Sequence, residues 1–464
     1  SSKRSSSSTY QPRGAEPRPH PPHATMRWFS LSLAVQGSLA VSQEEHHAVR
    51  RHGHYLAPRE HRHMSDALLQ TQVKHGGVTS PMAEALATGS STDRVATGMK
   101  AEYPYYHTSA EIQEETKRLV KKCSHRASIR TVTNEGVSID VVTVESKQAS
   151  PSNRVFILFG EHSRELISPE SGLFFLKALC GEAELDSQTA KVAEVLNDNS
   201  FQLVLNGNPR SRVQVESGSY CVRENPSGVD LNRNWDEQWQ ATGMNFADAN
   251  PGPRPFSEPE TRIFKQLVTE FKPTTFLTVH SGTRGMYMPW AYDTSHLADR
   301  NQPAMMEILK TLDEKHCKCP FGAAGKEVGY SCPGTCLDWV YDQMKTPFSF
   351  AFEIYVSPDE DEDLTNRWKQ KVQGGGSSLL EGGSHLAHSH FSDLFQRHGS
   401  DFVHTSKSAA KQSSRQKDDA CFFQFNPDTK ERYEATIKNW ASAYLEMAHQ
   451  INQKLKLNST MIAA

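Results

Sequence analysis

Between Arg154 and Glu170 the chain reads RVFILFGEHSRELISPE. The apolar, partly β-branched run Val155–Phe159 stops at Gly160, which marks a short strand buried on both faces, as in a mostly parallel sheet. His162 and Glu165 follow at once, before a helix start built of small residues. They stand just past the strand's carboxyl end, where open α/β sheets place their ligand crevices. One imidazole and one carboxylate at this spacing can reach a single metal ion together. The fold must therefore bury this strand and open its carboxyl end.

The pattern around this stretch alternates. Ser109 reads as an N-cap for a helix AEIQEETKRLVKK, with Ile112, Leu119 and Val120 as its apolar stripe. Strands are expected at 128–132, 137–144, 201–205, 275–279, 285–290 and 347–352. Helices are expected at 169–179, 187–196, 259–271, 302–315, 335–343 and 427–451. The stretch 206–239 reads as loop, dense in Arg, Asn and Gly. Such alternation predicts an α/β fold: a single domain with a mixed, mostly parallel central sheet flanked by helices on both faces.

Only 36% of the 464 residues are hydrophobic, a low share for an enzyme core, and polar segments account for the dilution. Residues 1–25 read as a non-native or disordered leader. Met26, Arg27 and the apolar stretch WFSLSLAVQGSLAV resemble a secretory signal peptide over 26–42. Residues 43–100, with a His-rich stretch at 46–63, read as a disordered linker or short pro-segment. The folded domain is expected over 101–455, with a low-complexity insertion at 374–419 and a tail at 456–464. A net charge of -3 argues for neither nucleic acid nor anionic membrane as a partner, and no apolar run reaches the ~18 residues of a membrane span. Eight cysteines are compatible with disulfides in an oxidising compartment. Cys317-x-Cys319 and Cys332-x3-Cys336 read as disulfides or buried thiols rather than as zinc sites.

Three strand ends carry metal-ligand or base candidates: His162 with Glu165, His280, and Glu353. Three protein ligands that leave one position open make a catalytic zinc site. His162, Glu165 and His280 supply that set, and zinc there would activate water and polarise a carbonyl. A separate carboxylate must take the water's proton and pass it on to the leaving amine, and Glu353 fits that role.

Four ordered motifs carry a specific resemblance: Gly160–Glu165 (GEHSRE), Gly228–Trp235 (GVDLNRNW), Thr278–Ser281 (TVHS) and Phe350–Glu353 (FAFE). Together they resemble the zinc metallocarboxypeptidases, the carboxypeptidase A-like exopeptidases, from about Tyr106 to Tyr355 and again from Cys421 to about Ile451. The resemblance implies one Zn2+ ion held by His162, Glu165 and His280, with Glu353 as general base. It implies Asn232 and Arg233 as the pair binding the substrate's terminal carboxylate, Arg164 as an accessory arginine, and Asp230 behind a histidine ligand. Bidentate carboxylate recognition suits a guanidinium. Tyr330 matches the mobile tyrosine that closes over substrate.

The chain departs from the family in places. Arg223 and Arg212 both lie upstream of Asn232 as candidates for the oxyanion arginine, and Arg223 leads into the motif directly. Gly282 stands where the family has a tyrosine, which removes a subsite contact. Residues 43–100 hold no counterpart of the folded pro-domain of digestive members. Leu337 matches a position lining the pocket for the C-terminal side chain, where leucine favours apolar partners. Cys332 and Cys336 follow Tyr330 in the same loop, where a small disulfide would stiffen it.

The expected function is a secreted, monomeric metallopeptidase acting on peptides or proteins with a free C-terminus, with no nucleic-acid partner. The alternatives are an amidohydrolase-type or deglutamylating relative using the same zinc site, and an inactive binding module that retains the fold.

Overall fold

Eight strands form one sheet in the order β1-β2-β4-β3-β5-β8-β6-β7. They are β1 (Ala127–Asn134), β2 (Val137–Val144), β3 (Asn153–Phe159), β4 (Asn199–Val204), β5 (Thr275–His280), β6 (Thr283–Met288), β7 (Phe321–Ala323) and β8 (Phe348–Tyr355). The computed structural model describes residues 98–186, 191–241, 249–362, 366 and 407–463. The expected leader and signal peptide, nearly all of the 43–100 segment and most of the 374–419 insertion lie outside these residues. Among the described residues no helix is long and apolar enough to cross a membrane.

The four central strands β4, β3, β5 and β8 run parallel, and β1, β2 and β6 add antiparallel pairings toward the edges. The mixed, mostly parallel sheet expected from the sequence is therefore present. Successive strand residues point to opposite faces, and β3 shows this clearly. Val155, Ile157 and Phe159 join one core, shared with Leu173 and Leu176 of the helix Ile167–Leu179 and Tyr444 of the helix Lys430–Ala463. Phe156 and Leu158 join the other, shared with Ile263 and Phe264 of the helix Pro259–Phe271. Helices thus cover both faces, which is why β3 reads as a continuous apolar run rather than an alternating one.

The structure differs from the sequence expectation in several places. Thr108, not Ser109, caps the helix Ser109–Lys122, through a reciprocal pair: Glu111 N donates to Thr108 Oγ1 at 3.2 Å and Thr108 N donates to Glu111 Oε2 at 2.8 Å. The expected loop 206–239 contains a helix, Pro209–Glu216. The strand expected at 285–290 is Thr283–Met288. A helix Lys407–Phe425 begins well before Cys421, inside the expected insertion, and the last helix runs on through the expected tail. Cys332 and Cys336 are not bonded to each other and are free thiols. Instead Cys123 pairs with Cys180, Cys221 with Cys421, and Cys317 with Cys319.

Cys221–Cys421 ties the loop before Arg223 to the helix Lys407–Phe425 across 200 residues. A cross-link closing so long a loop restricts the unfolded chain, with a typical contribution of about 2–4 kcal/mol. Combining Cys221→Ser with Cys421→Ser should lower unfolding free energy by that order in denaturant titrations. An unchanged midpoint would show that packing alone holds this helix.

Candidate active site

Gly160 ends β3 with φ +68, and a Cβ there would lie 2.9 Å from Pro169 Cγ. The turn that carries His162 and Glu165 out of the sheet therefore needs glycine. His280 ends the neighbouring strand β5, and β8 next to it aligns Glu353 with His280. Three adjacent parallel strands thus deliver their side chains to one crevice.

His162, Glu165 and His280 converge there, all buried, with donor atoms within 4.8 Å of one another. His162 Nδ1 lies 2.7 Å from Glu165 Oε1, and His280 Nδ1 lies 3.0 Å from Glu165 Oε2 and 3.1 Å from His162 Nδ1. Both rings turn Nδ1 inward and Nε2 toward an acceptor. His162 Nε2 meets Asp230 Oδ1 at 3.1 Å and His280 Nε2 meets Thr278 Oγ1 at 2.8 Å. With the proton held on Nε2, each Nδ1 lone pair faces the centre, which is how metal-ligating histidines are set. Burial alone would raise the Glu165 carboxyl, but His162 and His280 hold it below the usual carboxylate range. Two imidazoles and an ionised carboxylate fit zinc.

Asp313, Cys317 and Cys319 also cluster within 4.8 Å. Their two sulfurs are joined as a disulfide, which removes the thiolates a metal would need.

The two upstream arginines separate cleanly. Arg223 Nε donates to Asp230 Oδ2 at 3.0 Å, and its Nη1 is 3.6 Å from Glu165 Oε1. Arg212 is buried elsewhere, donating to Glu216 Oε1 and to the His107 carbonyl. Asp230 accepts the Asn232 amide at 3.0 Å, and so caps the short 3-10 turn Leu231–Arg233. Asn232 Oδ1 accepts the Cys336 amide at 3.0 Å, and Arg233 Nη1 donates to the Asn232 carbonyl at 2.9 Å.

Glu353 is half-buried, but its Oε2 is shut off from solvent with no hydrogen-bond partner. Desolvation pushes its carboxyl up to about 7, against the pull of His280. Tyr330 is 39% exposed and lies near enough to Arg233, Arg223 and Glu353 to feel their charges. Leu337 is buried with Tyr287, Ala291 and Ala324, and Val328, Cys332 and Ala351 pack against them. Ala351 stands two residues before Glu353 on β8, so the two share one sheet face. The neighbouring Asp338 carboxylate is occupied, accepting the Ala291 and Tyr292 amides at 2.9 and 3.0 Å.

Sequence reasoning missed what fills the space beside Gly282. Its φ is +118, and a Cβ would fall 2.1 Å from Phe425 Cε1. Phe425 lies over the Arg164 guanidinium at 3.9 Å. Its segment is fastened to the same loops: Ser281 Oγ donates to the Phe425 carbonyl at 2.8 Å and Asn426 Nδ2 to the Arg164 carbonyl at 2.9 Å. Arg164 is thus held beneath an aromatic ring that comes from the far end of the chain. No local signal near Gly282 announces it.

The zinc carboxypeptidase family profile matches residues 112–373, more than half of the chain. Carboxypeptidase A1 of Mus musculus is 29% identical over 277 residues, covering 54% of this chain and 63% of that protein. Carboxypeptidase A1 of Bos taurus is 30% identical over 277 residues with the same coverage. The chain therefore matches less than two thirds of the length of these relatives. The structure of bovine thrombin-activatable fibrinolysis inhibitor in complex with tick carboxypeptidase inhibitor aligns with a TM-score of 0.51 at 18% identity, over 76% of this chain and 99% of that one. At that identity the likeness concerns the fold alone.

Linkage gives Glu353 a testable signature in the metal-free protein. Its carboxyl rises from 4.5 to about 7 on folding, so the folded state favours the proton. The penalty for ionising it is absent below the unfolded value, grows through that window and is complete above it. Metal-free Glu353→Gln should be more heat-stable than metal-free wild type at about pH 8, and the gap should close toward about pH 4. A gap independent of pH would contradict the desolvated carboxyl.

Proposed function

The chain belongs to the zinc carboxypeptidase family, and on that premise we propose that it removes C-terminal residues from peptides or proteins, preferring apolar or aromatic ones. The convergence of His162, Glu165 and His280 beside Glu353 and Arg223 carries this reading. The triad would hold one zinc ion, which when bound supplies a Lewis acid for the scissile carbonyl and for water.

The rest is the work of the chain's own side chains. Arg233, with Asn232 beside it, binds the substrate's terminal carboxylate, a task suited to the planar guanidinium fork. Glu353 Oε2 has no competing partner, so it is free to accept the proton of the attacking water and return it to the leaving nitrogen. Arg223 stabilises the negative charge that develops on the carbonyl oxygen. Asp230 holds both Arg223 and His162, so one carboxylate orients a metal ligand and the oxyanion arginine together. Tyr330, at the rim, covers the bound terminus. Arg164 belongs to the carboxylate-binding side.

The apolar group around Leu337, Cys332 and Ala351 supports a preference for apolar or aromatic terminal side chains. Asp338 does not offset this, because backbone amides occupy its carboxylate. An amidase-type or deglutamylating relative is less well supported, since the chain carries Asn232, Arg233 and Tyr330. An inactive binding module would be expected to have lost a ligand or the base, and neither is lost. The three disulfides support an oxidising, secretory or extracellular location, where the enzyme acts as a monomer.

Blocked dipeptides varying in the last residue test the reading. Release should be fastest from Phe or Leu termini and should stop on chelation; no chelator-sensitive release from any of them would overturn it. Glu353→Gln should retain zinc while kcat falls by about 10²–10⁴. A variant that keeps wild-type turnover would remove Glu353 from the base role.

A further inference from the structure

Glu161 stands between Gly160 and His162 and is fully buried, at 0% exposure. Among the described residues its one ion-pair contact is with His280, and no lysine or arginine pairs with it. Its neighbours are donors. Trp235 Nε1 donates to Oε1 at 3.2 Å, and the Cys336 thiol donates to Oε2 at 3.5 Å. The same Oε2 lies 3.5 Å from His280 Nε2. The indole offers only a donor, and with His280 Nδ1 turned inward, Nε2 is the ring nitrogen left to carry a proton. Two donors, the indole and the thiol, bond to this carboxyl and a third, His280 Nε2, lies in ion-pair range, a setting that asks for an acceptor.

The site thus has a carboxylate behind each histidine. Asp230 stands behind His162 at 3.1 Å. Behind His280 stand the nearer Thr278 hydroxyl, at 2.8 Å, and, both at 3.5 Å, Glu161 and the Asn232 amide nitrogen, which as a donor-only group cannot accept the Nε2 proton. A hydroxyl can either accept or donate, so Thr278 alone does not fix the tautomer of His280. An acceptor-only carboxylate does, and it also strengthens the ring as a donor to a metal. Stability alone is a weak account of Glu161: no lysine or arginine offsets its burial, and its one ion-pair partner is the metal-ligand candidate His280 itself.

We propose that Glu161 is a positioning residue for His280, fixing its tautomer and raising the affinity of the His162–Glu165–His280 centre for zinc. This rests on the zinc-site reading above. Partners behind metal ligands are worth about 10–100-fold in metal affinity.

The experiment is zinc competition against a chromogenic chelator on the full chain, paired with thermal unfolding of the metal-free protein. Wild type must bind zinc; if it does not, the zinc-site reading itself falls. Glu161→Gln should bind zinc about 10–100-fold more weakly while its metal-free Tm stays equal to wild type or rises. The visible absorption bands of its cobalt form should shift, since a changed His280 donor alters the ligand field. Glu161→Leu should behave likewise and serves if the glutamine variant does not fold. Thr278→Val should weaken zinc less than Glu161→Gln. The proposal is overturned by wild-type zinc affinity in both Glu161 variants, by a metal-free Tm that drops along with affinity, or by a loss confined to Thr278→Val.

Discussion

The structure depends on the parallel pairing of β3, β5 and β8, which sets the ends of three buried strands side by side. The pairing fixes register, and the register aligns His280 with Glu353. Gly160 then turns the chain so that His162 and Glu165 meet them. Strands buried on both faces leave little room to slide, because a one-residue slip would exchange the two cores. A rigid frame of this kind suits ligands that must converge within a few ångströms.

Packing ionisable groups so closely creates an electrostatic problem that the surrounding residues answer. Asp230 is fully buried and held well below the usual carboxylate range: burial opposes its charge, and Arg223 and His162 outweigh it. Glu353 is treated differently. Desolvation dominates there, and no partner meets its Oε2. Two carboxylates in one crevice are thus driven in opposite directions, one fixed as an anion and one left poised near neutrality. That division separates a group that orients from a group able to exchange a proton.

Much of this was legible in the sequence because His162, Glu165 and His280 stand at or just past the ends of apolar strands, and Glu353 follows an apolar run although β8 continues past it to Tyr355. Runs of this kind could only be buried, so position marked these residues as candidates. Arg223 was the favoured candidate because it leads directly into the Asn232 motif, although both arginines fall in a stretch read as loop. Tertiary contacts then set them apart, Arg212 being drawn off by Glu216 and His107. The cysteine pairing was illegible for a combinatorial reason, because eight cysteines allow about 105 connectivities. Cys332 and Cys336 lie close in sequence, yet Cys336 turns its thiol to Glu161. Glu161 was hidden in plain view, a residue inside the motif whose burial no periodicity reveals.

Gly282 shows how a loss read from sequence becomes an exchange in three dimensions. The missing side chain leaves room for Phe425, whose ring would collide with any Cβ there. The aromatic surface is restored from a different element and now lies over Arg164. An aromatic face attracts a guanidinium and limits its motion, so Arg164 stays beside the crevice although its Nε is buried without a partner. The segment that brings Phe425 is fastened by Cys221–Cys421 to the loop that ends in Arg223. The same segment thus reaches Arg164 through Phe425 and the chain next to Arg223 through the disulfide, so the C-terminal helices border the site rather than merely cover the sheet.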